Sequence, residues 1–269
     1  MSLLPGDSQT LLTLIESRLR KTADSINVPP LLAAGGSSSV LFLLGENRQA
    51  EASLILTKRS LRVSQPGDLC SPGGRVTPGL DRFLSPLLLL PGAPLYRWSA
   101  FKALRARDRE EASRVALLTA AALREAWEEI GLNPLSVRML GLLNPQELTL
   151  FKRIIHPVCG WTGRPGAFRA NGEVESIHFL PLHQLLDPGN YAAYTLLHPS
   201  EGGMSKPEIL KETICFNHRE AENCEILWGA ALWITLQFLK RVFDFVPPAR
   251  SDLPEIQRQL PDSYYIGRS

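Results

Sequence analysis

The sequence lacks any apolar run of the 18 or so residues that a membrane-spanning helix needs; stretches such as Leu87 to Leu90 are far too short. It has no CxxC pair. Its four cysteines (Cys70, Cys159, Cys215, Cys224) stand well apart, which argues against structural zinc. The chain is also too long and too apolar to need disulfide staples, so the cysteines read as free thiols of a reducing compartment. There is little excess of charge: 29 Lys and Arg face 27 Asp and Glu, a net +2. That balance excludes a nucleic-acid binder working through a bulk positive field. No internal repeat or low-complexity tract is present. The start, MSLLPGDSQTLLTLIESRLRK, has neither the basic opening nor the small-residue cleavage site of a signal peptide. The closing IGRS is not a peroxisomal address, and a cytoplasmic protein with no membrane partner is expected.

What is present is an ordinary globular composition, 44% apolar and 21% charged over 269 residues, enough for one large domain or two small ones. An amphipathic helix is predicted over about 8–22, capped near Asp7 or Ser8. Residues 34–38 read as a loop. Strands are predicted at Val40 to Leu44 and Ser53 to Thr57, and a loop at 66–79, where Pro and Gly recur. A long helix runs from about Asp108 to Ile130, stopped by Gly131 with Pro134 behind it. Strands follow at 136–143, 153–161 and 174–180. A second long helix is expected at roughly 223–241, with Trp228 and Trp233 in the core. The tail from 247 reads as loosely wrapped. Strands around two helices give a mixed α/β domain.

The strongest chemical signal is Arg124-Glu125-Ala126-Trp127-Glu128-Glu129-Ile130-Gly131-Leu132. Glu125, Glu128 and Glu129 stand at i, i+3 and i+4, so a helix puts them on one face. Leu123, Trp127 and Ile130 fall on the other, core-facing side. Three crowded carboxylates repel, and they sit where the helix dipole is already negative. A divalent cation would reverse that electrostatic sign, and an oxygen-only donor set suits Mg²⁺ or Mn²⁺. Upstream, Pro72-Gly73-Gly74 can bring backbone close to a ligand.

Gly-Gly followed by R-E-x-x-E-E-x-G-L resembles the Nudix box, GX₅EX₇REUXEEXGU, where U is aliphatic. The second half fits through Arg124, Glu125, Glu128, Glu129, Gly131 and Leu132. The first half departs: 49 residues separate Gly74 from Arg124 where the pattern has 13, an excess of 36, and Ala116 stands where the first glutamate belongs. Asp81, or Glu110 and Glu111, are the candidates to replace it. The simplest reading is an insertion at about 80–108, which long-loop entropy tolerates. Leu56-Thr57-Lys58-Arg59-Ser60, Gly67 with Ser71-Pro72-Gly73-Gly74, Pro157-Val158, Glu173-Val174-Glu175, Phe179 to Leu182 and Ile226 to Ala231 are similar to the coenzyme A diphosphatase branch. In that branch Phe stands where this chain has Ser71.

The resemblance implies a single Nudix domain over 1–269, an α/β/α sandwich with a mixed central sheet plus the insertion and extra terminal helices. It implies a metal-dependent hydrolase of a nucleoside diphosphate joined to another group, coenzyme A or acyl-coenzyme A first. ADP-ribose, dinucleotides, nucleoside triphosphates and a non-catalytic nucleotide sensor stand as alternatives. Mg²⁺ or Mn²⁺ is assigned to Glu125, Glu128, Glu129 and the Gly73 carbonyl. Arg124 aims a glutamate, and Glu173, with Glu175 behind it, is the candidate general base beside Glu128. Lys58, Arg59 and Gly74 are assigned to the substrate. The insertion's basic residues read either as an anion site or as a solvated face. Its apolar ones read as an acyl or pantetheine pocket, a core edge or a homodimer contact. His156, His178, His183, His198 and His218 show no ligand spacing and read as structural or surface residues.

Overall fold

The computed structural model describes residues 4–21, 28, 31, 36–148, 153–163, 166–197, 209–220, 223–260 and 264. Two strands near its start organise it, β1 (Ser37–Glu46) and β2 (Ala52–Arg59). The turn between them is held by the Asn47 side chain, which accepts from the amides of Gln49 and Glu51 at 3.0 and 2.9 Å. Both strands are apolar on both faces. Leu41, Leu43 and Ile55 enter one core, while Phe42, Leu44, Leu54 and Leu56 enter another. A strand of that kind needs cover on both sides. The cover is α5 (Arg109–Ile130) on one face, and α1 (Ser8–Lys21) with α7 (Gly229–Phe243) on the other. The expected α/β/α sandwich is therefore present.

The sheet is mixed. β1 runs parallel to β7 (Arg153–Trp161) and antiparallel to β2. β8 (Val174–Pro181) pairs β2, while β5 (Arg138–Leu142) and β6 (Gln146–Leu148) pair β7. β1 and β2 pair only through Leu43 to Glu46 and Ala52 to Ile55. Where they part, β3 (Leu69–Cys70) joins the end of β2 and β4 (Gly73–Arg75) joins the start of β1. The Gly-Gly turn is thus wedged into the open end of the sheet. The predicted loop over 66–79 holds these two short strands, and Ser37 and Ser38 of the predicted loop at 34–38 already belong to β1; 34 and 35 lie outside the described residues.

The insertion is helical: α2 (Pro78–Leu84), a 3₁₀ turn over Ser85–Leu89, α3 (Pro94–Arg97) and α4 (Ser99–Arg107). Leu88, Leu95 and Phe101 are buried in the core shared with α5, so part of it covers a core edge. Leu87, Leu90 and Tyr96 stay exposed. Asp108 then caps α5 by accepting from the amides of Glu110 and Glu111, both at 2.9 Å. Gly131, at φ 68°, ends the helix in the left-handed conformation.

Three expectations are corrected here. The helix expected at 223–241 begins at Gly229, because residues 223–227 form β11 (Asn223–Leu227), paired to β10 (Ile209–Glu220). The apolar spacing runs unbroken across the junction, and Gly229, at φ 63°, makes the break. β10 also pairs β9 (Tyr191–Leu197), which runs parallel to β12 (Glu255–Gln259), giving a second, four-stranded sheet. The tail is therefore not loose: β12 is a strand, and Tyr264 is buried with its hydroxyl donating to Asp68. Finally, Trp233 and Trp127 are 56% and 58% exposed rather than core residues, since each points away from the side of its helix that meets the sheet. Trp228 is half-buried, its indole N–H donating to Asp68 at 3.1 Å. No described helix is long and apolar enough to cross a membrane.

Candidate active site

The C-terminal turns of α5 meet the Gly-Gly turn despite the long detour between them. Arg124 sits at the centre with its side chain only 8% exposed. Its Nε donates to Asp81 Oδ1 at 2.8 Å, and its Nη1 to Glu125 Oε1 at 2.9 Å and Glu128 Oε2 at 3.1 Å. Its Nη2 donates to the Arg75 carbonyl at 3.2 Å. Asp81 is fully buried and also accepts from the Thr77 amide at 2.6 Å. Of the candidates to replace the missing first glutamate, Asp81 is the one at the site. Glu110 and Glu111 lie at the far end of α5, about 20 Å away at 1.5 Å per residue.

Gly74 explains itself by contact. A Cβ there would lie 2.5 Å from the Glu125 carboxyl, so only glycine lets β4 pass this close. The Gly73 amide donates to Glu129 Oε2 at 3.2 Å. Glu129 is buried, and that burial pushes its carboxyl up to about 8; the Gly73 bond only partly opposes this, and the neighbouring Glu125 charge adds to it. Glu125 is raised too, by burial first, against the pull of Arg124. Burial opposes the charge on Arg124, and Asp81 followed by Glu125 more than offsets that. Glu128 is the open member, its side chain 42% exposed.

The α5 end is strapped from outside. The Arg169 and Asn171 amides donate to the carbonyls of Ile130 and Glu129, both at 2.9 Å. Two residues on, the Glu173 amide donates to Asn171 Oδ1 at 2.9 Å, and the Glu173 carbonyl accepts from the Ser60 amide at 2.9 Å. Glu173 is exposed, and its charge and that of Arg59 both act on Glu129. The predicted Arg124, Glu125, Glu128, Glu129, Gly73, Gly74, Arg59 and Glu173 are thus gathered in one place. Lys58 is engaged elsewhere: its ammonium meets Glu225 at 2.8 Å and Glu175 at 3.2 Å, and although burial opposes its charge, these partners hold it above the ordinary lysine value. Glu175 is a partner of Lys58, which places it in that ion pair.

Two residues that the sequence reading passed over stand at the same end of the sheet. Arg75 ends β4 and Arg153 starts β7, on either side of the start of β1. Burial, then the charges of Arg75 and Arg59, hold Arg153 below the ordinary arginine value. Three arginines therefore share one local field beside the glutamates. Strand pairing alone brings Arg75 and Arg153 together from distant parts of the chain, so no local pattern marks them.

Among the described residues no three His, Cys, Asp or Glu side chains form a ready-made metal cage. The donor chemistry nonetheless fits a hard divalent cation. Glu125, Glu128 and Glu129 offer only oxygen; the first two share the Arg124 guanidinium, and Glu129 is a buried carboxyl whose charge burial disfavours. The histidines stay outside this group. His156 and His218 are buried in the strands, and His198 lies outside the described residues.

Residues 116–198 match the NUDIX domain family. The chain is 27% identical to a peroxisomal coenzyme A diphosphatase of Caenorhabditis elegans, ndx-8, across 66% of this chain and 62% of that protein. It is 31% identical to an uncharacterised Nudix hydrolase of Citrobacter koseri, NudL, across 54% of this chain and 57% of that one. The chain thus spans about three-fifths of the length of the curated relatives it matches. The crystal structure of a MutT/nudix family protein from Enterococcus faecalis overlays with a TM-score of 0.39 at 12% identity, covering 90% of this chain and 76% of that one. The matched segment opens within α5, and the Gly-Gly turn and Asp81, which precede it in the chain, meet it in space: over residues 116–198 the chain is similar to the NUDIX domain family.

Proposed function

We propose that the chain is a metal-dependent Nudix diphosphatase, whose substrate is coenzyme A or acyl-coenzyme A, hydrolysed to 3′,5′-ADP and 4′-phosphopantetheine or its acyl form. The observation that carries the reading is the Asp81–Arg124–Glu125/Glu128 cluster, which restores across the insertion the contacts that the broken motif leaves open. A divalent cation, Mg²⁺ or Mn²⁺, on Glu125, Glu128 and Glu129 supplies positive charge against the diphosphate and makes water more acidic. The protein's own part is positioning. Arg124 aims Glu125 and Glu128, Asp81 holds Arg124, and the Gly73 amide fixes Glu129. Glu173, exposed and beside Glu129, is assigned to take the proton of the attacking water. Arg59, Arg75 and Arg153 suit a substrate carrying several phosphates, as coenzyme A does. The coenzyme A diphosphatase activity of the Caenorhabditis elegans relative supports the same choice. A cytoplasmic, reducing setting suits the four free thiols.

The test is product analysis after incubation with Mg²⁺ or Mn²⁺ and, separately, coenzyme A, an acyl-coenzyme A, ADP-ribose, NADH and dinucleoside polyphosphates. Release of 3′,5′-ADP only from the coenzyme A compounds is expected. Preferential turnover of ADP-ribose or a dinucleotide overturns the substrate. No turnover of any compound turns the reading to a nucleotide sensor. Full turnover in Glu128→Gln and Glu129→Gln removes the metal assignment.

A further inference from the structure

A cavity of about 670 Å³ opens between α1, the α3–α4 part of the insertion and the edge strand β5. It lies well away from the glutamates. Glu111 lines it, and Glu125 is 14 residues further along α5, about 21 Å at 1.5 Å per residue. Its size falls within the roughly 300–1,000 Å³ of small-molecule sites. One part of the wall is apolar, built from Leu19, Trp98, Phe101, Leu104 and Met139. The Trp98 and Phe101 rings are 6.1 Å apart and 20° from parallel, which gives that part a flat aromatic side. The rest of the lining is charged, and the charges do not cancel. Arg138 holds Glu16 at 2.8 Å and Arg107 lies 3.8 Å from Glu111. Arg20 and Arg97 have no carboxylate partner among the described residues. Arg20 reaches the Ser99 hydroxyl at 3.3 Å, and Arg97 donates to the carbonyls of Leu135 and Val137 at 2.8 and 3.1 Å. An apolar wall beside two uncompensated guanidiniums fits one ligand chemistry, an apolar tail ending in an anion.

We infer that this cavity is a second ligand site, separate from the glutamate centre, which takes a single-tailed amphiphile with an anionic head. Carboxylate and phosphate heads share that chemistry, and the experiment separates them. Calorimetric titration of the full chain uses hexanoate, octanoate and decanoate, then decyl phosphate, with decanol as the uncharged control. Both decyl anions are expected to bind one to one, more than tenfold tighter than decanol. The carboxylates are expected to gain two- to fourfold in affinity per added methylene, as burial of a tail requires. The tighter of the two anions names the head. Arg20→Glu, on an exposed position, is expected to weaken both anions at least tenfold while leaving the circular dichroism unchanged. Leu104→Trp, which fills the cavity, is expected to abolish binding. Glu128→Gln is expected to leave it intact, which keeps this result independent of the proposed hydrolysis. Equal binding of decanol and decanoate overturns the anionic head. Unchanged affinity in both Arg20→Glu and Leu104→Trp overturns the location, and loss of binding in Glu128→Gln moves the ligand to the glutamate end. Absence of binding by every probe overturns the site.

Discussion

Removing the Asp81 carboxyl leaves the Arg124 guanidinium in a nearly closed place without its best partner. Asp81 is 0% exposed and the Arg124 side chain 8%, so water cannot replace what is lost. Breaking a buried pair of this kind costs roughly 3–5 kcal/mol. Arg124 keeps Glu125 and Glu128, which argues for the lower end, about 3 kcal/mol for Asp81→Ala. Asp81→Asn, which keeps the shape and one acceptor for the Thr77 amide, should cost about half as much. For a chain of this size that is a fall in Tm of roughly 6–12 °C for the alanine variant. Urea unfolding of Asp81→Ala, Arg124→Leu and the double variant gives the coupling directly, expected at about 1.5–3 kcal/mol. Glu110→Gln is the internal control. Glu110 is 88% exposed and, among the described residues, pairs with Arg114 of its own helix, so its loss should stay within about 0.5 kcal/mol. A coupling below about 0.5 kcal/mol, or a Glu110 effect equal to that of Asp81, refutes Asp81 as the counter-charge of Arg124.

Three further outcomes follow from the same geometry. Gly74→Ala should lower kcat at least tenfold and raise the metal concentration needed for half-activity, because its Cβ lands on the Glu125 carboxyl; unchanged metal dependence in steady-state assays would show that Glu125 yields without consequence. His156 is buried, and burial holds its imidazole down to about 4. The fold therefore favours the neutral ring: its contribution is complete above the ordinary value near 6.5 and drains as the pH falls from there toward 4, by up to about 3 kcal/mol. Tm measured from pH 7.5 to 4.5 should decline less steeply in His156→Leu than in the parent, and parallel curves would refute this. Arg153→Gln should raise KM for a diphosphate substrate about tenfold with kcat changed less than threefold; the reverse split in steady-state kinetics would place Arg153 with the reacting groups instead.

The parts of the fold legible in the sequence are those with local grammar. α5 has a capping Asp108, an apolar stripe and a stopping Gly131, and each acts within one turn of the helix. The acidic cluster on its last turns is legible for the same reason. The choice among Asp81, Glu110 and Glu111 is not, because it depends on where a chain segment 43 residues upstream of Arg124 returns. Lys58 looked open to a phosphate because its partner Glu225 stands 167 residues away in sequence. β11 read as helix because Ile226, Leu227 and Ala230 fit both periods, and the deciding feature is the backbone at Gly229. β12 carries no local signal, because its pairing to β9 is parallel and joins chain segments some 60 residues apart, which leaves no hairpin signature.

The parallel pair at the centre of the sheet has a consequence for how the chain is made. Ser37 of β1 lies beside Ile154, and Ser53 of β2 beside Pro181, so both outer neighbours of the first hairpin are encoded more than 100 residues downstream. At about 5–20 residues per second, roughly 6–23 s of synthesis separate the emergence of β1 from that of β7. Throughout that interval two strands that are apolar on both faces carry unpaired edges. Such long-range pairing folds slowly and invites edge-to-edge association. Fragments that stop before β7 should accumulate as aggregates on expression, whereas slower growth at low temperature should favour recovery of the full chain.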